Sequence, residues 1–235
     1  MTNHEATPLQ NGLTSAAGEF FKQLSPEALR DFESMQYHSS YAGGSILFLE
    51  KHTPTAVYIV LEGQVKLSMS SSEGRRLILR VAKAGEIIGL NSAITGHPFD
   101  VTAETVHGAK IATIRTPDFM GFLLRYPAAY QNVVRQLSTD YNNACEQLRT
   151  VGLSPNAQKK LARLLLEWCA AGQQTDRGTR VKVSLTHEEI GEFIGATRET
   201  VTRTLSEFKH QHLVALNGST MMIPNRVALE HYAGV

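Results

Sequence analysis

Residues 186–205 constrain the fold of this chain more than any other segment. Thr186 and Glu189 have the spacing of a capping box, in which the threonine hydroxyl accepts from the Glu189 amide and the carboxylate bonds back. Gly195 supplies a turn, and Thr197 caps a second helix whose apolar side chains recur at four-residue spacing. Two short helices joined by a glycine turn predict a helix-turn-helix.

The residues after these helices predict a wing. Two apolar runs, 213–216 and 221–223, flank the sequence Asn217-Gly218-Ser219-Thr220. Because Asn-Gly is the favoured centre of a type I′ hairpin turn, we expect two antiparallel strands here. A helix-turn-helix followed by a hairpin is a winged helix.

The second helix carries the candidate base-reading residues. Arg198 and Glu199 lie in its first turn, and we expect Arg203 on the same outer face. An arginine can bond N7 and O6 of guanine together, and a carboxylate can accept from N4 of cytosine. The alternative is a solvated face with a Glu199–Arg203 ion pair four residues apart. The formal net charge of +1 gives no polycationic pattern, so binding to double-stranded DNA has to rest on these placed residues.

The middle of the chain is rich in β-forming residues. Short runs at 45–49, 56–61, 65–69, 77–81 and 111–114 are separated by glycine or polar turns. Such spacing predicts a sandwich or a double-stranded β-helix of the jelly-roll (β-roll) type. A short helix capped by Ser25 precedes this region, and residues 1–18 are expected to form a loose tail.

A heptad pattern follows the β region. Its apolar residues alternate at spacings of three and four, as in the seam of a coiled coil with a second copy of the chain: Val134, Leu137, Tyr141, Ala144, Leu148 and Val151. The alternative is one amphipathic helix packed on its own domain. The expected α+β organisation is a tail (1–18), a β-roll domain (19–127), a dimerisation helix (128–153) and a winged helix-turn-helix (154–235).

From Thr186 to Arg203 the chain resembles the cyclic-AMP receptor/FNR (CRP/FNR) family of bacterial transcription regulators, most closely over residues 195–203. The resemblance extends over about residues 20–232 and implies that the β-roll (19–127) is a cyclic-nucleotide-binding-like sensor domain. It implies a homodimer whose recognition helices enter successive major grooves about 34 Å apart. Arg198 and Arg203 would read guanines and Glu199 a cytosine in a TGTGA/TCACA-like palindrome. Residues near phosphates would be Thr186, Thr197, Thr200, Asn217 and Gly218.

The family's nucleotide pocket is not reproduced. There a glutamate holds the ribose and an arginine and a serine hold the phosphate. Here Leu90 follows Gly89 at the glutamate position, and Phe99 and Asp100 stand for the arginine and serine. The threonine and serine that meet the adenine are replaced by Cys145-Glu146. We therefore expect a degenerate pocket that does not bind cyclic AMP.

The charge of this stretch supports the same expectation. No lysine or arginine lies between Lys83 and Lys110, so no cation is offered to a cyclic phosphate. A different small-molecule effector, or none, stays open. His97 and His107 make haem a further alternative, although no cofactor is predicted.

Other classes of protein fit less well. The two cysteines have no CxxC spacing, which argues against a disulfide framework or an iron–sulfur site. A cupin-type metalloenzyme needs clustered histidine ligands, but those of the β region are scattered, and His210-Gln-His212 lies at the entry to the wing. No metal and no enzymatic activity are predicted. A winged helix that contacts protein is the other alternative.

The expected setting is cytoplasmic. The chain begins with no signal peptide and has no apolar run of the roughly 20 residues that span a bilayer, so no membrane partner is expected. RNA polymerase is a candidate partner, and activation and repression stay equally open.

Overall fold

The computed structural model describes residues 18–234, so nearly all of the tail predicted for residues 1–18 lies outside the described part. The chain divides into two compact units. The first contains the residues up to Leu67 together with Val81–Tyr141. The second contains Ser68–Arg80 together with the residues from Asn142 onward.

The elements of the N-terminal half begin with a 3-10 turn at Glu19–Phe21. They continue as α1 (Pro26–Ser34), β1 (Tyr37–Tyr41), β2 (Ile46–Phe48), β3 (Ala56–Glu62), β4 (Gln64–Ser70), β5 (Arg76–Lys83), β6 (Ile87–Ile88), α2 (Leu90–Thr95), β7 (Thr102–Thr105), β8 (Ala109–Arg115) and α3 (Thr116–Arg125). Ser25 caps α1 by accepting from the Ala28 amide, as its sequence position predicts.

Two four-stranded sheets, in the orders β1-β8-β3-β6 and β2-β7-β4-β5, make up the β-roll. Alternation along β3 sends Val60 between the sheets and Ile59 to the opposite face. The cluster between the sheets includes Phe48 and Phe99. The opposite face is covered by the aromatic residues Phe20, Phe21 and Phe32 and by apolar residues of α2 and α3. The predicted β-roll is confirmed.

A long helix, α4 (Pro127–Leu148), continues through a turn of π-helix at Arg149–Leu153. Three of the predicted seam residues are exposed at seven-residue spacing: Val134 (54%), Tyr141 (70%) and Leu148 (70%). The other three are half-buried, and Leu137 packs against the core cluster of the β-roll. The seam is therefore divided between contacts within the chain and an exposed apolar stripe.

The C-terminal elements are α5 (Ala157–Ala170), β9 (Gln173–Thr175), β10 (Gly178–Lys182), α6 (His187–Ile194), α7 (Arg198–His210), β11 (Ala215–Asn217), β12 (Thr220–Ile223) and α8 (Arg226–Ala233). Asn156 caps α5 by accepting from the Lys159 amide. The four strands form a sheet in the order β11-β12-β10-β9. The predicted winged helix-turn-helix is confirmed, with a larger sheet than the hairpin alone.

In the described part of the chain, no helix combines the length and apolar character that crossing a bilayer requires.

Candidate nucleic-acid interface and nucleotide pocket

The helix-turn-helix is built by the local rules that its sequence predicts. Thr186 and Glu189 form both bonds of a capping box at the start of α6. Gly195 ends α6 in the left-handed region with φ of 64°, a conformation that favours glycine. A methyl group placed on Gly191 would lie 2.6 Å from the carbonyl oxygen of Ala196, so the close approach of the turn also requires glycine.

Helix α7 starts at Arg198, directly after its cap. The Thr197 hydroxyl accepts from the amide of Thr200 at 3.2 Å. Val201 and Leu205 are buried, which anchors the inner face of the helix, while Arg198, Glu199 and Arg203 are exposed. The three candidate base-reading residues therefore lie on an open surface.

The groups around Glu199 favour its charged form. Its own backbone N–H and the Thr197 hydroxyl donate to the carboxylate, and Arg198 adds a favourable charge, so the pKa of Glu199 lies below its ordinary value. An ionised carboxylate only accepts hydrogen bonds, which suits the amino group of cytosine.

The expectation that Arg198 and Arg203 share one face is wrong. A helix turns about 100° per residue, so five residues place them about 140° apart. Glu199 and Arg203, at i and i+4, share one stripe, while Arg198 and Thr202 share the neighbouring stripe. Among the described residues, the Arg203 side chain has no hydrogen bond or ion pair, so the alternative Glu199–Arg203 ion pair does not form.

The turn of the wing lies one residue later than predicted. Asn217 pairs with Thr220 in the ladder, so Gly218 and Ser219 are the two central residues. Of these two, only Gly218 has a positive φ (58°), whereas a type I′ turn needs positive φ at both. A glycine at the first central position is typical of the type II′ turn, and Asn217 therefore ends a strand. Both Asn217 and Gly218 are exposed.

Two features of this surface were not singled out from the sequence. His187 Nδ1 lies 2.9 Å from Thr202 Oγ1, which ties the first residue of α6 to the exposed edge of α7. Arg180 and Lys182 alternate outward along β10, and Lys182 pairs with Thr220 beside the wing turn. The contact between His187 and Thr202, 15 positions apart, leaves no periodic signal in the sequence. The alternation of Arg180 and Lys182 along β10, by contrast, could have been predicted from the sequence.

The stretch that corresponds to the nucleotide pocket is occupied by its own side chains. Leu90 is 2% exposed and belongs to the core. The Phe99 ring, 4% exposed, stacks on Phe48 with centroids 3.9 Å apart and an interplanar angle of 19°. It also lies 3.1 Å from a methyl group placed on Gly89. A buried aromatic pair thus includes Phe99, the residue at the sequence position expected for the phosphate-holding arginine.

Polar groups of the same stretch bond to one another. Asp100 is exposed and accepts from the Asn91 side-chain amide at 2.7 Å. The backbone of Phe99 is fixed on both sides, since its N–H donates to His52 and its carbonyl accepts from Lys51. Asp100 and the Phe99 backbone thus already have hydrogen-bond partners within the chain.

The remaining candidates lie apart from any such site. Cys145 is half-buried with a free thiol, and Glu146 pairs with Arg149 at 2.6 Å. His97 and His107 are both exposed. Within residues 18–234, no three histidine, cysteine, aspartate or glutamate side chains are placed to hold a metal ion.

Two protein-family models match this chain, one over the β-roll and one over the helix-turn-helix. The cyclic nucleotide-binding domain family matches residues 38–126, and the Crp-like helix-turn-helix domain family matches residues 159–232. The chain is 24% identical over 207 residues to the transcriptional activatory protein AadR of Rhodopseudomonas palustris, covering 87% of this chain and 85% of that protein. It is 24% identical over 221 residues to the CRP-like cAMP-activated global transcriptional regulator of Mycobacterium tuberculosis, covering 93% and 97%.

Among solved structures, FixK2 from Bradyrhizobium japonicum matches with a TM-score of 0.75 at 21% identity, over 84% of this chain and 96% of that one. The β-roll, the helix-turn-helix and the two family matches all indicate the same family. The chain belongs to the CRP/FNR family of transcription regulators, which carry a helix-turn-helix DNA-binding domain.

Proposed function

We propose that this chain is a homodimeric regulator that reads a TGTGA/TCACA-like palindrome through Arg198, Glu199 and Arg203, without cyclic AMP as its effector. The observation that carries the proposal is the exposure of these three side chains on the first turns of a helix whose other face is buried. Their chemistry matches guanine and cytosine edges in the major groove.

Backbone contacts would fix the register of α7 on the duplex. Exposed hydroxyls at Thr186 and Thr197 lie at the N-termini of α6 and α7, where unpaired amides and the helix dipole favour phosphate. Thr200 and the wing residues Asn217 and Gly218 would add contacts beside them. Phosphate contacts position the protein, and base contacts supply the sequence preference.

The dimer rests on the exposed stripe of the long helix. Val134, Tyr141 and Leu148 repeat every seven residues, which is the period of a helix that pairs with a copy of itself. A two-fold dimer reads a palindrome, since each subunit presents the same helix to one half-site.

The effector proposal rests on the filled pocket. The M. tuberculosis relative is named as cAMP-activated. In this chain, by contrast, Leu90 is in the core and Phe99 stacks on Phe48 at the corresponding positions. We therefore expect DNA binding that does not depend on added cyclic AMP.

In vitro selection of bound duplexes from a random pool tests the operator. The expected product is a palindrome related to TGTGA/TCACA, bound with a steep negative dependence on salt. Selection of no motif, or a flat salt dependence, would favour a winged helix that contacts protein instead.

Arg203→Ala tests the role of a single side chain. Since Arg203 has no partner within the described residues, the substitution should leave folding unchanged and cost about 1–3 kcal/mol of binding at one base position. Lys209→Ala, at an exposed position in the last turn of the same helix, is the matched control. An Arg203→Ala protein with full affinity and selectivity would contradict the assignment.

A further inference from the structure

Gln147, near the end of α4, makes an unusual pair of contacts. Its side chain is buried, with 6% of the residue exposed. Nε2 lies 2.9 Å from the carbonyl oxygen of Ile78 and 2.6 Å from the carbonyl oxygen of Phe193. One primary amide thus donates to two backbone carbonyls on two different elements, and all three residues belong to the second unit.

Both acceptors are backbone carbonyls of buried residues. Phe193 is in the last turn of α6, where carbonyls have no partner within the helix. Ile78 is fully buried in β5. A buried carbonyl without a hydrogen bond is costly, so removal of the amide would disfavour this arrangement of α4, β5 and α6.

A second contact lies one turn further along the same helical segment. The Cγ1 atom of Val151 is 3.2 Å from a methyl group placed on Gly195, the turn residue of the helix-turn-helix. Gln147 and Val151 are four residues apart and share one face. The helix-turn-helix is therefore held against the long helix at the end of α6 and at its turn.

We propose that Gln147 is a positioning residue that sets the direction in which the helix-turn-helix leaves the long helix. In the dimer, that direction determines the separation of the two recognition helices. The inference rests on the proposed homodimeric DNA-binding function. When the amide is lost, each helix-turn-helix still reads its half-site, but the two are no longer pre-set at the spacing of successive major grooves.

The test compares the binding of full-length variants to duplexes that differ only in half-site spacing. The probes are the selected palindrome, the same palindrome with about five extra central base pairs, which turn one half-site by about half a helical turn, and a single half-site. Gln147→Met keeps the length of the side chain and removes both donors. Gln136→Met is the matched control, because Gln136 is equally buried on α4 but donates to Ile87 within the first unit.

The wild-type protein should bind the selected spacing at least about tenfold more tightly than the lengthened one, since linkage converts the second contact into an intramolecular step. Gln147→Met should reduce this ratio to about threefold or less and leave half-site affinity within about twofold. Gln136→Met should keep the wild-type ratio. A purely structural defect would instead lower half-site and palindrome affinity together.

Gln147→Asn guards against a methionine variant that does not fold. Its amide is one methylene shorter and cannot reach both carbonyls, so the spacing ratio should fall between those of the wild type and Gln147→Met. Retention of the wild-type ratio in either variant overturns the inference while the proposed function stands. Equal loss in Gln136→Met also overturns it. A wild-type protein that binds no palindrome overturns the proposed function and, with it, the inference.

Discussion

Truncation of Phe99 tests whether the β-roll fills its own pocket. The ring is 4% exposed, stacks on Phe48 at 3.9 Å and lies against Gly89. Removal of a buried phenyl ring typically costs about 3–5 kcal/mol, because transfer free energy and packing are both lost. About 0.5–1.5 kcal/mol of this belongs to the aromatic pair beyond buried area. Phe99→Ala should therefore lower the stability of the β-roll by about 3–5 kcal/mol.

Native-state hydrogen exchange of peptides that cover β3 is the suitable assay. The single tryptophan, Trp168, lies in α5, so its fluorescence reports on the second unit and would miss a local effect in the β-roll. Tyr37→Ala, at a position 65% exposed on β1, is the control and should change stability by less than about 0.5 kcal/mol. Cyclic AMP should stabilise neither protein. A Phe99→Ala cost under about 1 kcal/mol, together with stabilisation of the wild type by cyclic AMP, would refute a filled pocket.

Two further predictions concern the long helix and the N-terminal helix. Tyr141→Arg places a cation in the exposed stripe, and sedimentation equilibrium should show a dimer dissociation constant at least about tenfold higher; an unchanged constant would contradict the seam. Asp31 accepts hydrogen bonds from Tyr126 and Arg125, which hold the pKa of its carboxyl below the ordinary value. A lowered carboxyl pKa stabilises the fold above the ordinary aspartate value, and this contribution is lost as the pH falls through the folded-state pKa. The difference in unfolding free energy between wild type and Asp31→Asn, measured by urea denaturation, should thus shrink in acid. A difference that does not depend on pH would contradict the role of the hydrogen bonds to Asp31.

The helix-turn-helix was predictable because each of its parts is specified within a few residues. The capping box at Thr186, the turn at Gly195 and the cap at Thr197 all follow from local hydrogen bonding and backbone preference. Strands such as β1 and β9 were missed since they are short, polar and exposed, and carry no apolar alternation. The wing turn was misplaced by one residue because the ladder, and not the Asn-Gly preference, sets the register.

The contacts behind the proposed filled pocket and the proposed positioning of α6 are long-range. Phe99 and Phe48 are far apart in sequence, and nothing near either residue predicts their stack. In the sequence, Gln147 is a polar residue beside a heptad seam, with nothing to distinguish it from its neighbours. In the structure its amide donates to the carbonyls of Ile78 and Phe193, which are distant in the chain. Burial of a polar side chain is a property of the folded chain, so the contacts of Gln147 could only be found in the structure.

The two regions also differ in how far a family resemblance can be carried. On the exposed edge of α7, Arg198, Glu199 and Arg203 have both the residue types and the exposure that the proposed base reading requires. At the pocket, substitution of Leu90 and Phe99 does more than remove ligand contacts, because both side chains have become part of the core. Reopening the pocket would then cost the packing free energy of buried residues, which a bound nucleotide would have to exceed. We therefore expect a regulator built in this way to receive its signal somewhere other than this pocket, or to act whenever it is present.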